Sequence, residues 1–419
     1  MSGVLIFTAL CGSSGTALAA PGDHIRAGEV EIIPDLDVGA EFRTNVYRSE
    51  AGPVPAANLR VAPGVTLGVA SDDHSFTAGG EWQLRKFVFR GEDAVSGTVS
   101  GLDRFNEFGV AAGADLFRRS AVGLRLQEGV ALTNWRADAE NAELPYTSQF
   151  RNNIGGVVRL NPGPALEIAP GASWTFDSFL VPGRTGERAL NSRHTYTPAL
   201  DLKWLFLPRT SLLVRGTYAF NQWEQNVFTT EISDVGMDIS LPNSHQVKVT
   251  AGVDGRFTEK LFVQALVGYG TAVYLDDTDP QDAPAAISGI KGLLLSAQVR
   301  YDVSKGAPDR PGTNVTVGYV RDFKDSVFTS VQDINSVFAQ LDARLGPVQP
   351  VVRYELRAEG YTGDITRSDL VNRVDGDVSY WFRDWASFTL GMGWQQRASN
   401  VDNVEYDDVQ GRALATFVY

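Results

Sequence analysis

Asp408-Val-Gln-Gly-Arg-Ala-Leu-Ala-Thr-Phe-Val-Tyr419 ends the sequence, and its alternation decides how the rest is read. Successive side chains of an extended strand point to opposite faces, so Gly411, Ala413, Ala415, Phe417 and Tyr419 share one face. Arg412, Leu414, Thr416 and Val418 share the other. A soluble sheet that stopped in mid-strand on an aromatic would leave a frayed edge. A last strand that pairs with the first and closes a barrel leaves none.

The same period runs upstream. Leu36, Val38, Ala40 and Phe42 face one way while Asp35, Asp37, Glu41 and Arg43 face the other. Phe76, Ala78, Gly80, Trp82 and Leu84 oppose Glu81, Gln83 and Arg85, and Val247, Val249, Ala251 and Val253 oppose Lys248 and Asp254. From residue 31 onward the chain divides into segments of roughly ten to fourteen residues with this pattern, about eighteen in all. The expected fold is all-β: a transmembrane antiparallel β-barrel with both ends on the periplasmic side.

The connections agree. Short links at 71–74, 118–120, 161–164, 206–210, 258–260, 345–349 and 383–384 carry turn residues such as Asp72-Asp73 and Gly346-Pro347. They alternate with longer segments such as 87–103, 134–148, 222–244 and 271–288. Residues 302–312 are the one long member of the short set. Outer-membrane barrels have short periplasmic turns and long outer loops, whereas a soluble sandwich has no reason for such regularity. Aromatics such as Tyr47, Phe176, Tyr196, Tyr269, Trp385 and Trp394 sit close to strand ends, where rings with polar atoms suit a bilayer interface.

The apolar run at 4–10 is too short to span a bilayer as a helix and leads to Ala17-Leu18-Ala19. The expectation is a signal peptide over 1–20, a short periplasmic segment over 21–30, and the barrel over 31–419. Met1-Ser-Gly3 lacks the usual basic residues before the run, so the true start is expected to lie upstream or to have been trimmed. Cys11 is the single cysteine, and Leu10 before it does not suit lipidation. The mature chain then has no disulfide, thiolate metal site or thiol nucleophile.

A formal charge of −13 argues against nucleic acid as a partner. Low average hydropathy does not argue against a membrane barrel, because only every second residue faces lipid. Catalysis has little to build on: the four histidines are His24, His74, His194 and His245. Ser192 near His194, or Ser244 beside His245, could form a nucleophile–base pair only if the fold brought them together. The acidic stretches Asp276-Asp277-Thr278-Asp279 and Asp402 to Asp408 read as solvated loops before they read as cation sites. No metal or cofactor is expected.

With apolar faces turned to lipid, charged positions line the interior. The candidates are Asp35, Asp37, Glu41, Arg43, Arg85, Arg353, Glu355, Arg357, Glu359, Arg373, Asp375 and Asp377. Arg or Lys turned toward lipid at midplane would cost roughly 2–4 kcal/mol each, so folding alone confines charge to one parity. Arg353, Glu355, Arg357 and Glu359 are four successive inward positions of one strand. They form either an ion-paired wall or a constriction that selects solute.

Phe417 and Tyr419, an aromatic pair after alternating apolar positions, resemble the C-terminal insertion signal of outer-membrane barrels. The segment from Glu31 through Asn45-Val46-Tyr47-Arg48, with Pro34 near its start, resembles the opening strand of the β-barrel porin type 2 family. In size and strand count the chain also resembles barrels paired with polysaccharide export proteins in gliding bacteria. The resemblance implies an outer-membrane conduit for surface polysaccharide. No functional residue carries over, because the matching residues are structural. The expected partners are outer-membrane lipid and lipopolysaccharide, the barrel-assembly machinery and, for an exporter, a periplasmic polysaccharide export protein. A solute porin, or a barrel anchoring a gliding or adhesion machine, are the alternatives.

Overall fold

The computed structural model describes residues 25–45, 53, 55–90, 105–133, 148–180, 189–224, 227–232, 235–240, 243–275, 290–304, 312–326, 331–362, 366–401 and 404–418. The expected signal peptide, Cys11, His24, Asp276 to Asp279, Asp402 and Tyr419 lie outside them. The strands run β1 (Ile25–Ala27), β2 (Val30–Arg43), β3 (Ala56–Ala70), β4 (Ser75–Arg90), β5 (Phe105–Leu116), β6 (Val122–Thr133) and β7 (Ser148–Gly163). They continue as β8 (Leu166–Leu180), β9 (Ala189–Leu207), β10 (Thr210–Trp223), β11 (Val227–Ile232), β12 (Val235–Ser240), β13 (Asn243–Arg256) and β14 (Leu261–Leu275). The last are β15 (Lys291–Asp302), β16 (Asn314–Asp325), β17 (Val331–Asp342), β18 (Val348–Thr362), β19 (Arg367–Arg383), β20 (Ala386–Ser399) and β21 (Tyr406–Val418).

All but β11 and β12 belong to one nineteen-stranded sheet. Within it, eighteen strands from β2 to β21 pair antiparallel in chain order, and β21 returns to β2. Leu36 lies opposite Phe417 and Val38 opposite Ala415, so the terminal segment is the closing strand. Closure gives every wall strand a partner on both sides, the condition for a sheet to sit in hydrocarbon without exposed backbone polar groups. Short β1 occupies the flank of β2 that β21 does not reach, pairing at Ile32, Glu31 and Val30. The expected 21–30 segment therefore includes a strand of the sheet. β11 and β12 form a separate hairpin inside the 222–244 segment, expected from the sequence as a long connection.

The molecule is polar within and apolar without, the reverse of a soluble domain. Leu59, Trp82, Val110, Val249, Tyr269, Leu390 and Met392 are exposed, while Asn58, Gln83, Gln149, Asp177, Gln246 and Glu359 are buried. A soluble surface carries apolar residues singly, not as a continuous belt.

At the short-turn end, neighbouring turns clasp each other. The Phe117 amide donates to His74 Nδ1 (3.3 Å), and the Arg119 amide to Asp73 Oδ1 (3.1 Å). Phe117 is the one non-glycine residue with a left-handed φ (57°) among the described residues, and this clasp holds it there. Gly28 and Gly346 adopt similar φ values in their turns, where a β-carbon would be strained.

Candidate functional site: the ion-paired lumen and its in-folded hairpin

Pairing register fixes which side chains meet on the inner face. Asp35, Asp37, Glu41 and Arg43 stand there on β2, and Arg60 of β3 reaches Asp37 (3.7 Å), Glu41 (3.6 Å) and Glu81 of β4 (3.4 Å). Arg85 lies 3.6 Å from both Glu41 and Glu107. Arg43 meets Asp408 at 4.0 Å. Arg60 is the hub of this group, and its place between the apolar Leu59 and Val61 gives it no charged neighbour in the sequence to mark it.

On β18 the four-charge run divides in two. Arg353 pairs with Glu355 (3.2 Å) and Arg357 with Glu359 (2.6 Å). On β19 Arg373 pairs with Asp375 (2.5 Å), and Asp377 receives Arg412 from β21 (2.5 Å). The last contact crosses β20 and needs an empty position beneath it. Gly391 supplies it: a β-carbon there would sit 2.2 Å from Asp377 Oδ1 and 2.6 Å from Arg412 Nε.

Toward the long-loop end of the same strands lies a closed cluster. Arg397 of β20 donates to Glu359 (3.2 Å) and Asp369 (3.0 Å), and Arg367 binds Asp369 at 2.6 Å. All four side chains are almost fully buried. Tyr361 donates to Glu359 (2.7 Å) and receives the face of Arg367 at 4.4 Å. Arg397 lies just past the apolar stretch by which β20 is recognised in the sequence. Burial without exposure to water makes these pairs part of the packing.

A second feature had no signature in the sequence. β15 and β16 pair only as far as Leu295 and Arg321, while β16 and β17 continue together to Asp325 and Val331. Beyond Arg321 the hairpin leaves the wall and folds into the lumen. Phe323, Asp325 and Val331 have the parity of outward residues, yet they lie on the inner side chains of β10, β13, β14 and β15. Phe323 and Val331 pack with Ala272 and Leu294. Asp325 accepts from Asn221 Nδ2 (2.6 Å), Tyr274 Oη (3.1 Å), Ser244 Oγ and Gln246 Nε2. Lys248 donates to Asp322 (2.7 Å) and stands 4.5 Å above the Phe323 ring. Gly270 makes the space, since a β-carbon there would lie 2.7 Å from that ring. The hairpin thus covers the inner wall from β15 back to β10 and narrows the lumen near the long-loop end.

Several inner rings are engaged by cations. Trp223 lies under Arg193 (5.1 Å), Phe338 under Arg353 (5.5 Å) and Tyr406 under Arg397 (5.7 Å). Of the two Ser/His candidates, Ser192 and His194 share one face of β9, with Ser192 Oγ donating to Ser178 Oγ (3.3 Å), while Ser244 and His245 separate. Ser244 points into the barrel toward Asp325, whereas His245 stacks on Phe220 outside (4.7 Å), so adjacent residues face opposite ways. His194 receives the Trp174 indole N–H (3.3 Å) and stacks among Phe176 and Tyr196 on the outer face. Phe417 is outward and exposed, beside Trp385.

Charge is not confined to one parity, contrary to the sequence expectation. Glu128, in mid-strand on β6, pairs across to Ala112 and Ile154 on the outward face and is exposed. Arg321 of β16 has outward parity opposite Leu295. Tolerance of an acid there follows from its lower cost than a base in the same place.

No family model matches the chain, so the resemblance of its opening strand has no matching model behind it. No curated protein matches either. Among solved structures the chain is similar to the copper transporter OprC at 10% identity and TM-score 0.49, over 92% of this chain and 64% of that one. It is similar to OpdL of Pseudomonas aeruginosa at 11% identity and TM-score 0.45, over 93% and 99%. OccAB4 of Acinetobacter baumannii gives 12% identity and TM-score 0.46, over 94% and 99%. The chain therefore spans less than two thirds of OprC. Likeness at this level carries no statement of function.

Proposed function

We propose that the protein is a channel of the bacterial outer membrane for hydrophilic solutes, with its short turns and both chain ends in the periplasm. One observation carries this reading: under a continuous apolar exterior, inner side chains such as Arg353 and Arg412 stay nearly half exposed to water. A lumen packed solid would bury them. Eighteen strands leave a bore wide enough for water and small solutes, and the in-folded hairpin sets its narrow part. The exterior belt fits lipid and lipopolysaccharide as surroundings. Phe417, with Tyr419 outside the described residues, fits recognition by the barrel-assembly machinery.

Export of surface polysaccharide is the narrower reading. A pair of neutral hydrogen-bonding groups on the inner face favours it, with Asn153 Nδ2 donating to Thr175 Oγ1 (2.6 Å). Such groups suit sugar hydroxyls. The hairpin across the lumen and the cation-covered rings favour small solutes instead. An exporter would take a periplasmic polysaccharide export protein as partner.

Swelling of liposomes carrying the purified protein tests the channel. Entry of small sugars is expected, and an impermeable vesicle would favour a barrel that only anchors other envelope proteins. Deleting the gene separates cargoes: lost surface polymer supports export, and unchanged polymer removes it.

A further inference from the structure

The sequence carries a formal charge of −13, which on its face suggests a pore for cations. The inner wall presents the opposite sign to water. In pair after pair the acid is tucked against the wall and the longer guanidinium lies over it. Side-chain exposure is 47% for Arg353 against 18% for Glu355, and 49% for Arg373 against 25% for Asp375. It is 45% for Arg412 against 25% for Asp377, and 56% for Arg125 against 18% for Asp115. Arg256 over Asp302 and Lys203 over Asp254 repeat the order on the facing wall.

From this asymmetry we infer that the pore selects anions: small solutes bearing a carboxylate or phosphate group. The inference rests on the channel reading and names its substrate class. A solute in the lumen meets guanidinium N–H groups first and the carboxylates only behind them. Guanidinium presents a planar fork that matches carboxylate and phosphate oxygens. Because each Arg already has a carboxylate at its back, the pull on a passing anion is moderate, and conduction needs a site that can be left as well as entered. Arg353, Arg373 and Arg412 stand on β18, β19 and β21, so they line one side of the lumen as a row. Arg125 on β6 lies across from them.

The order reverses at two places: slightly at Lys248, 16% exposed against 19% for Asp322 under the in-folded hairpin, and more strongly around Arg60. Arg60 is the less exposed partner of Glu81, where three acids share its guanidinium. This patch lies at β2–β4 and opposes the selectivity that the Arg row imposes.

The test is the reversal potential of the purified full chain in a planar lipid bilayer under a KCl gradient, at ionic strength low enough that the charges are not screened. Chloride is expected to be favoured over potassium by a few-fold. The variant Arg353→Gln, Arg373→Gln, Arg412→Gln should lose that preference, while Arg412→Lys should keep it. Single Arg412→Gln gives a partial shift if the triple variant does not fold. A wild-type pore that favours potassium, or a folded triple variant with unchanged selectivity, overturns the inference while leaving the channel intact. Absence of conductance would instead remove the channel reading itself.

Discussion

β18, β19 and β20 carry ion pairs of two kinds at their two ends. Near the long loops, Arg397, Glu359, Asp369 and Arg367 are sealed from water and share their hydrogen bonds. Lower down, Arg373–Asp375 and Arg412–Asp377 have the same chemistry and similar distances, yet their guanidiniums stand half in solvent. Contact distance does not distinguish them; exposure does. In the sealed cluster each charge depends on its partner to offset the loss of hydration, so removing one leaves the others stranded. In the solvated pairs water replaces a lost partner at little cost. The first group holds the wall together, and the second decides what sign a solute meets.

The largest effect should come from breaking the sealed cluster. Arg397→Met leaves Glu359 and Asp369 buried without their shared cation and should destabilise the barrel by about 3–5 kcal/mol. Loss of resistance to heat-induced unfolding on gels would show it, and a stability like wild type would erase the distinction drawn above. Gly391→Val should act at the solvated end by filling the space under Arg412 and Asp377. Overpacking of this kind costs roughly 1–3 kcal/mol, and the displaced pair should shift ion selectivity as well. A variant that is destabilised but keeps its selectivity would mean that the Arg412–Asp377 bridge does not shape the pore.

Glu128 is a third setting, a carboxylate with neither a buried partner nor a lumen. If its outward face meets lipid, Glu128→Leu should stabilise the folded barrel by less than about 2 kcal/mol. Destabilisation would place a polar partner against that face. The smallest change in stability is expected for Glu81→Gln, the most exposed acid around Arg60 at 40%, where surface-like pairs contribute about 0–1 kcal/mol. Its reversal potential should nonetheless move further toward chloride.

Much of this was legible in the sequence, for physical reasons. Period-two alternation is local, so Leu36 to Phe42 or Phe76 to Leu84 announce strands and their faces without knowledge of neighbours. The alternation of short turns with long connections announced antiparallel order. The terminal strand announced closure, and its pairing with β2 at Leu36 and Val38 follows. What pairs with what was not legible. Arg397 meets Glu359 across β19, and the two lie far apart in sequence. The in-folded hairpin is the clearest case. Phe323 and Asp325 alternate like any strand, and only side chains up to four strands away, Asn221 and Ser244 among them, turn the segment inward. Glu128 was visible as a breach of parity after Leu124 and Leu126. It is overlooked when charge is assumed to follow the inner face.

Single-channel recording of the purified chain in planar bilayers tests the central claim most directly, that the lumen is open beneath an ion-paired wall. Discrete, long-lived conductance steps are the predicted result, with larger steps when Gly270→Leu crowds Phe323 and displaces the hairpin. A correctly folded barrel that passes no current, with Gly270 intact or replaced, would contradict it.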